Sequence, residues 1–347
     1  MRIAMAGAIL LAASAPTHAD DSTYAWKTLG TIASTWVSDL SFVSGSVGFA
    51  AGGDGQVLKT IDGAQTWTPV LSTYYPYYWN GVQALNENDV VVIGEINGSP
   101  SQAVMRWSHD GGDTWSDDLI VSNSAIGERV HFWDAASGFA TQFSGGDAFV
   151  TSSGGLQLTD WSTVKIDPSD AWSGAQFSAL RNGHVRISGI NYCESPDFAA
   201  TWSCRASIDP ISDYATFFWD DTFGWVAGGA GIGVPEGSPA LFEGWLHRTT
   251  DGGATWSDRT LDTPWPLRSV IFVNPRDGWT AGGGDTFGGI YVTHDGGESW
   301  QVELDAGFGP QVCATADYHI FCAGYDINAV SHFYSRDYDH IEVAAFD

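Results

Sequence analysis

A strand-and-turn composition, a nonapeptide repeated with small changes and a tryptophan returning about every 46 residues predict an all-β fold. That fold is a seven-bladed β-propeller of four-stranded antiparallel blades, closed by the N-terminal strand joining the last blade. The 347 residues include 42 glycines, 18 phenylalanines, 17 tryptophans and 12 tyrosines, but only three lysines: Lys27, Lys59 and Lys165. Aromatic and β-branched residues favour pleated sheets, and glycine favours the turns between them. With 44% hydrophobic residues the chain is not disordered and can bury a sizeable core. The 41 acidic against 14 basic side chains give a formal charge of −27, the wrong sign for coating phosphates or an anionic membrane.

The first nineteen residues read as a signal peptide, with residues 20–347 as a single propeller domain. Arg2 supplies the positive end, Ile3 to Ala13 the apolar stretch, and Thr17-His18-Ala19 a small-residue cleavage site. Removal of Arg2 leaves a mature charge of −28. The apolar run is too short to span a bilayer, and no later segment reaches about 18 uninterrupted apolar residues. A secreted or periplasmic monomer is expected. The four cysteines fall in two close pairs, and oxidising conditions predict the disulfides Cys193–Cys204 and Cys313–Cys322. A metal centre is the weaker reading, because there is no C-x-x-C and no histidine at ligand spacing.

The blades follow from the repeats. KTIDGAQTW (59–67), WSHDGGDTW (107–115), RTTDGGATW (248–256) and VTHDGGESW (292–300) are nearly superimposable. ESPDFAATW (194–202) keeps the pattern with Ala199 at the central glycine, and GGLQLTDW (154–161) keeps only the tryptophan and turn character. Upstream lie SFVSGSVGFAAGG, HFWDAASGFATQF, FFWDDTFGWVAGG and IFVNPRDGWTAGG, each an apolar strand, a polar turn and a second apolar strand. One unit is therefore strand, tight turn, strand, variable loop, strand, D-G-G turn, and a strand opened by tryptophan. Trp26, Trp67, Trp115, Trp161, Trp202, Trp256 and Trp300 are spaced by 41, 48, 46, 41, 54 and 44 residues. Trp26 has no blade before it, so its strand completes the last blade and removes the open edges.

The repeated turn has a job that needs no ligand. Asp62, Asp110, Asp197, Asp251 and Asp295 are placed to accept hydrogen bonds from turn N–H groups, acting as braces rather than catalysts or calcium ligands. Glycine provides positive φ, while Trp67, Trp115, Trp202, Trp256 and Trp300 wedge between neighbouring sheets. His109 and His294, at a variable position of the turn, are expected to be solvated.

The S/T-x-D-G-G-x-T-W turns resemble the Asp box, or bacterial neuraminidase repeat, of sialidases, sortilin-type receptors and some glycosidases and lectins. Paired with the F-x-D-x-x-x-G-W-x-A-G-G strands, they look most like the photosystem II stability/assembly factor family across about residues 24–335. The resemblance implies a seven-bladed, non-catalytic assembly scaffold. It also implies an arginine-rich patch for photosynthetic partners. Here Arg106, Arg129, Arg181, Arg186, Arg205, Arg248, Arg259, Arg268, Arg276 and Arg336 are scattered through an acidic chain, so a photosynthetic client does not follow.

Blade topology puts the D-G-G turns on one face and the irregular segments on the other, where binding is expected. These segments supply the candidate ligand-binding residues Tyr74, Tyr75, Tyr77, Tyr78 and Trp79 as a loop platform, Glu95 from the second blade, Glu236 and Glu243 from the fifth, and Trp265, Arg268 and Asp285 after it. Few cations accompany them, so a neutral glycan or a basic protein segment suits this face better than a sugar acid. The leading reading is a non-catalytic, protein-binding scaffold with no cofactor, metal or nucleic-acid partner. The alternatives are a lectin-like propeller or a glycosidase or lyase. A sialidase lacks support: no R-I-P motif occurs, and no arginine lies between the cleavage site and Arg106. Glu95, Glu236, Glu243 and Asp285 are the carboxylates open to pairing at the separations of about 5 to 9.5 Å that glycosidases use, but no catalytic residue is assigned.

Overall fold

The computed structural model describes residues 25–338 apart from 34, 144–145, 168–175, 190, 207–212, 231–242, 260, 262, 264 and 285–286. The expected signal segment, Glu236 and Asp285 lie outside the described residues. Seven four-stranded antiparallel sheets form the fold, and in six of them spatial order follows chain order. These are blades one to six, over 37–72, 77–122, 127–165, 177–206, 213–258 and 267–305. The seventh takes three strands from 310–337 and its outer strand, Lys27–Ala33, from the start of the chain. Lys27 pairs in register with Ser335, and Lys27 Nζ bonds Asp337 at 2.9 Å. Trp26 precedes this strand as Trp67, Trp115, Trp202, Trp256 and Trp300 precede theirs, and its indole N–H reaches Glu303 of blade six at 2.9 Å. The seventh tryptophan is thus a blade wedge whose turn has been replaced by the closure of the ring.

The upstream echo has a steric explanation. The last residue of the inner strand is Phe42, Phe132, Phe218 or Phe272, and its register partner is Gly48, Gly138, Gly224 or Gly278. A Cβ at those glycines would sit 2.4–2.5 Å from the phenylalanine ring, so the ring lies flat across a backbone that only glycine leaves clear. The next residue, Phe49, Phe139, Trp225 or Trp279, is buried between blades. Neighbouring blades then close ring on ring, Phe42 on Phe321 at 3.8 Å and Trp225 on Phe272 at 3.7 Å.

The D-G-G turns are alike in detail. Asp62, Asp110, Asp197, Asp251 and Asp295 each accept the backbone N–H four residues on at 2.8–2.9 Å and the hydroxyl of the same residue at 2.5–2.7 Å. A hydroxyl two residues earlier donates to the same carboxylate. These donors hold all five carboxyls below the usual range, Asp110 and Asp251 at about 2. His109 and His294 are not simply solvated: each Nδ1 lies 2.7 Å from an aspartate of the neighbouring turn, Asp89 or Asp277.

The scattered cations act mostly between blades. Lys59 donates to Gly111 O at 2.8 Å, Arg205 to Gly253 O, Arg248 and Arg259 to Glu298, and Arg336 to Glu303. Cysteines 193 and 204, and 313 and 322, are directly opposite on adjacent strands and form the two disulfides, each within one blade.

Candidate functional site

The strand order fixes which turns share a face. In every blade from one to six, a backbone N–H of the turn before the outer strand donates to a carbonyl of the turn after the inner strand. Gly63 to Ser46 and Gly252 to Thr222 are two of these bonds, all 2.8–2.9 Å. The aspartate turns and the first-to-second strand turns therefore form one braced face. The opposite face carries the second-to-third strand loops and the links between blades.

At the mouth of the central channel on this opposite face, the inner strands of six blades slip register by one residue. The slips fall between Val37 and Asp39, Trp79 and Gly81, Gly127 and Arg129, Asp213 and Ala215, Leu267 and Ser269, and Pro310 and Val312. Such bulges re-aim backbone and side chains at the rim of a sheet. Here they leave Ser38, Asn80, Glu128, Tyr214, Arg268 and Gln311 as a ring of extra residues. Arg129 ties three of them together, donating to the carbonyls of Asn80, Glu128 (3.0 Å) and Ser38 (3.1 Å). Burial pushes the Asp39 and Glu128 carboxyls up against the pull of Arg129, and Asp39 and Glu95 raise Glu128 further. Burial lowers His131, two residues beyond Arg129 in the same strand, to about 4.

The expected aromatic loop separates into two parts. Tyr74 and Tyr75 are 60% and 75% exposed. Tyr77, Tyr78 and Trp79 are not loop residues but the start of the inner strand Tyr77–Ala84. Trp79 is fully buried among Phe49, Val57, Val82 and Val104, with its indole N–H on Thr73 Oγ1 at 3.2 Å. Its position at a bulge turns it inward, so it belongs to the core. Tyr77 is likewise committed, its hydroxyl donating to Asp118 at 2.7 Å; that bond and burial raise its pKa. Tyr78 faces the other way and stacks on Trp36 at 6.1 Å and 19°, while Tyr75 meets Tyr78 edge-on at 6.5 Å.

The turn bearing Tyr74 and Tyr75 is fixed at both ends. Thr73 N–H and Oγ1 donate to Gly55 O at 2.9 Å, Tyr77 N–H closes on Tyr74 O, and Asn97 N–H reaches Pro76 O at 2.8 Å. Trp36 lies so close over the neighbouring loop that a Cβ at Gly53 would fall 1.8 Å from its indole nitrogen. Glu95 is not in a loop: it is the penultimate residue of the strand Val90–Ile96 and the register partner of Tyr78. Its Oε2 is buried without a hydrogen-bond partner, as is Oδ1 of Asp54.

The remaining candidates lie elsewhere on the ring. Arg268 is the bulge residue of blade six, with its guanidinium 5.1 Å over the Tyr214 ring. Trp265 tilts against Phe287 at 5.8 Å. Glu243 opens the strand Glu243–Thr249, and its side chain is outside the described residues. The structure thus brings Tyr75, Tyr78 and Glu95 together and leaves Trp265 and Arg268 with blades five and six. Sequence reasoning missed Trp36, Asp54 and Glu128. The available signal was a tryptophan immediately before the first inner strand and a charged pair, Glu128-Arg129, inside an otherwise apolar one.

No protein-family model matches the chain. It is 24% identical over 147 residues to the photosystem II assembly lipoprotein Ycf48 of Synechococcus sp. (strain CC9902), a match covering 42% of this chain and 40% of that protein. The chain therefore spans about two-fifths of the curated relative's length. Among solved structures, YCF48 bound to D1 peptide superposes with a TM-score of 0.68 at 17% identity, over 92% of this chain and 96% of the other. YCF48 from Cyanidioschyzon merolae gives 0.68 at 19% identity over 90% and 99%. The WD40 propeller domain of Doa1 gives 0.63 at 12% identity over 90% and 97%. These likenesses establish the seven-bladed architecture.

Proposed function

We propose that this protein is a non-catalytic, exported scaffold that binds a protein partner through the face opposite the aspartate turns. The observation that carries the reading is the platform of Trp36, Tyr74, Tyr75 and Tyr78. Exposed aromatics held on a rigid frame offer contact area at little ordering cost, which is how protein-binding hot spots are built. A propeller of the same architecture, YCF48, has been solved with a D1 peptide bound, which supports a peptide as the kind of ligand this fold holds. Two disulfides support an oxidising compartment and hence export. The client is not taken over with the likeness, because the cations of this chain serve mostly to join blades.

The test is site-specific photo-crosslinking in the source cells, with benzoylphenylalanine placed at Tyr75 or, on the opposite face, at Leu156, which is also exposed. Discrete protein adducts from position 75 and not from 156 are expected. Adducts from 156 alone, or binding to a glycan array with no protein adduct, would overturn the reading, the second outcome favouring the lectin-like alternative.

A further inference from the structure

We infer that Cys193–Cys204 is an exchangeable disulfide that trades electrons with a partner dithiol, and that Asp167 takes the proton of the Cys193 thiol when the bond closes. The inference goes beyond the scaffold reading and does not depend on it. Three observations carry it. First, the two cysteines are unequal. Cys193 is fully buried in the third strand of blade four, packed with Ala148, Ile166 and Ile187 in the seam with blade three. Cys204, its register partner, lies on the outer strand Ser203–Ala206 and is partly exposed. Exchange follows access, so an incoming thiolate attacks at Cys204.

Second, a carboxylate shares the seam. An oxygen of the buried Asp167 and both sulfurs lie within 4.8 Å of one another. The link that carries it is pinned against the bond. Ile166 O is 3.0 Å from Cys204 Sγ, Asp167 N–H donates to Gly146 O at 3.1 Å, and Asn191 Nδ2 donates to Asp167 Oδ2 at 2.5 Å. A closed disulfide has no proton to give, and burying a carboxylate beside it costs free energy. The carboxylate gains a role once the bond opens, because Cys193 is then a thiol in apolar surroundings that hold back its ionisation. Third, the other disulfide lacks this neighbour. Cys313–Cys322 joins the inner two strands of blade seven. Among the described residues, no histidine, aspartate or glutamate stands within that distance of both its sulfurs. A cross-strand disulfide in this fold therefore does not require a carboxylate.

Closing runs in two displacements. The Cys204 thiolate attacks a partner disulfide, forming a mixed disulfide and releasing one partner thiolate. Asp167 takes the proton of Cys193, whose sulfur attacks Cys204 Sγ; the second partner thiolate leaves, and the proton passes from Asp167 to water. Two electrons move from the protein dithiol to the partner disulfide. Opening retraces these steps with a partner dithiol as the reductant.

The experiment opens the intact mature protein with dithiothreitol under native conditions, removes the reductant and closes the protein with oxidised glutathione. Acid quenching, alkylation and peptide mapping follow each cysteine pair. Cys193–Cys204 should open before Cys313–Cys322, and the mixed glutathione adduct should form on Cys204. In Asp167→Asn, closure of Cys193–Cys204 should slow about a hundredfold, the scale of one positioned proton acceptor. The Cys204 adduct should accumulate in that variant while Cys313–Cys322 closes at the parent rate. A role in packing alone would lower the melting temperature without trapping the adduct. Circular dichroism melts check the fold of the variant, and the order of opening and the adducted cysteine in the parent decide the matter without it. No opening of Cys193–Cys204 in the folded protein, earlier opening of Cys313–Cys322, an adduct on Cys193, or equal closure in parent and variant would overturn the inference. The two proposals fail separately, because crosslinks from position 75 do not involve the cysteines of blade four.

Discussion

Replacing Trp79 by alanine and, separately, Tyr75 by alanine should divide the aromatic segment into core and platform. Trp79 has no exposed surface and packs against Phe49, Val57, Val82, Val90 and Val104 where blades one and two meet. Truncation removes the indole from a close-packed seam that cannot collapse without moving two sheets. The cost is therefore about 3–5 kcal/mol. The lost hydrogen bond adds little, because Thr73 Oγ1 keeps its own donation to Gly55 O at 2.9 Å. Tyr75 is 75% exposed, and its removal should stay within about 0.5 kcal/mol. At roughly 2–3 °C per kcal/mol for a domain of this size, Trp79→Ala should melt about 6–15 °C below the parent and Tyr75→Ala within about 2 °C. Differential scanning calorimetry of the mature protein at neutral pH reads both. Similar melting temperatures for the two variants would refute the division, as would a larger loss from Tyr75→Ala.

Deleting residues 20–33 removes the outer strand of blade seven along with Trp26 and Lys27; light scattering should show aggregation through the exposed strand edge at 330–337, and a monomer as stable as the parent would contradict the closure. Non-reducing peptide mapping should recover Cys193–Cys204 and Cys313–Cys322, and each double serine variant should lose about 2–3 kcal/mol in urea titrations from the entropy of its short loop. The aspartate turns set an acid limit. The carboxyls of Asp110 and Asp251 stand at about 2 in the folded chain against 3.8 unfolded, so their stabilisation is complete above pH 3.8 and disappears as pH falls through 2. The urea midpoint should fall across that window, and less steeply in Asp251→Asn; an identical fall in the variant would show that the turn carboxylates do not carry it. Asp39 and Glu128, raised by burial, contribute the opposite slope, with stability gained as they protonate.

Much of the architecture was legible because it is locally encoded and repeated. The tryptophan spacing, the D-G-G turns and the F…G-F/W echoes each report interactions made within one blade or with its neighbour, so the blade count, the closing strand and the paired cysteines follow from spacing alone. The loop-bearing face opposite the aspartate turns was legible only as a direction. Alternation along a strand says which residues share a side, but the bulges at the channel mouth shift that alternation by one, turning Trp79 into the core and leaving Tyr78 outward. The aromatic platform joins Trp36 to Tyr78, and the channel tie joins Arg129 to Ser38 across 91 residues. Those meetings come from ring closure, which brings the rims of separate blades together at the channel mouth. No periodicity along a single blade records which side chain stands opposite which.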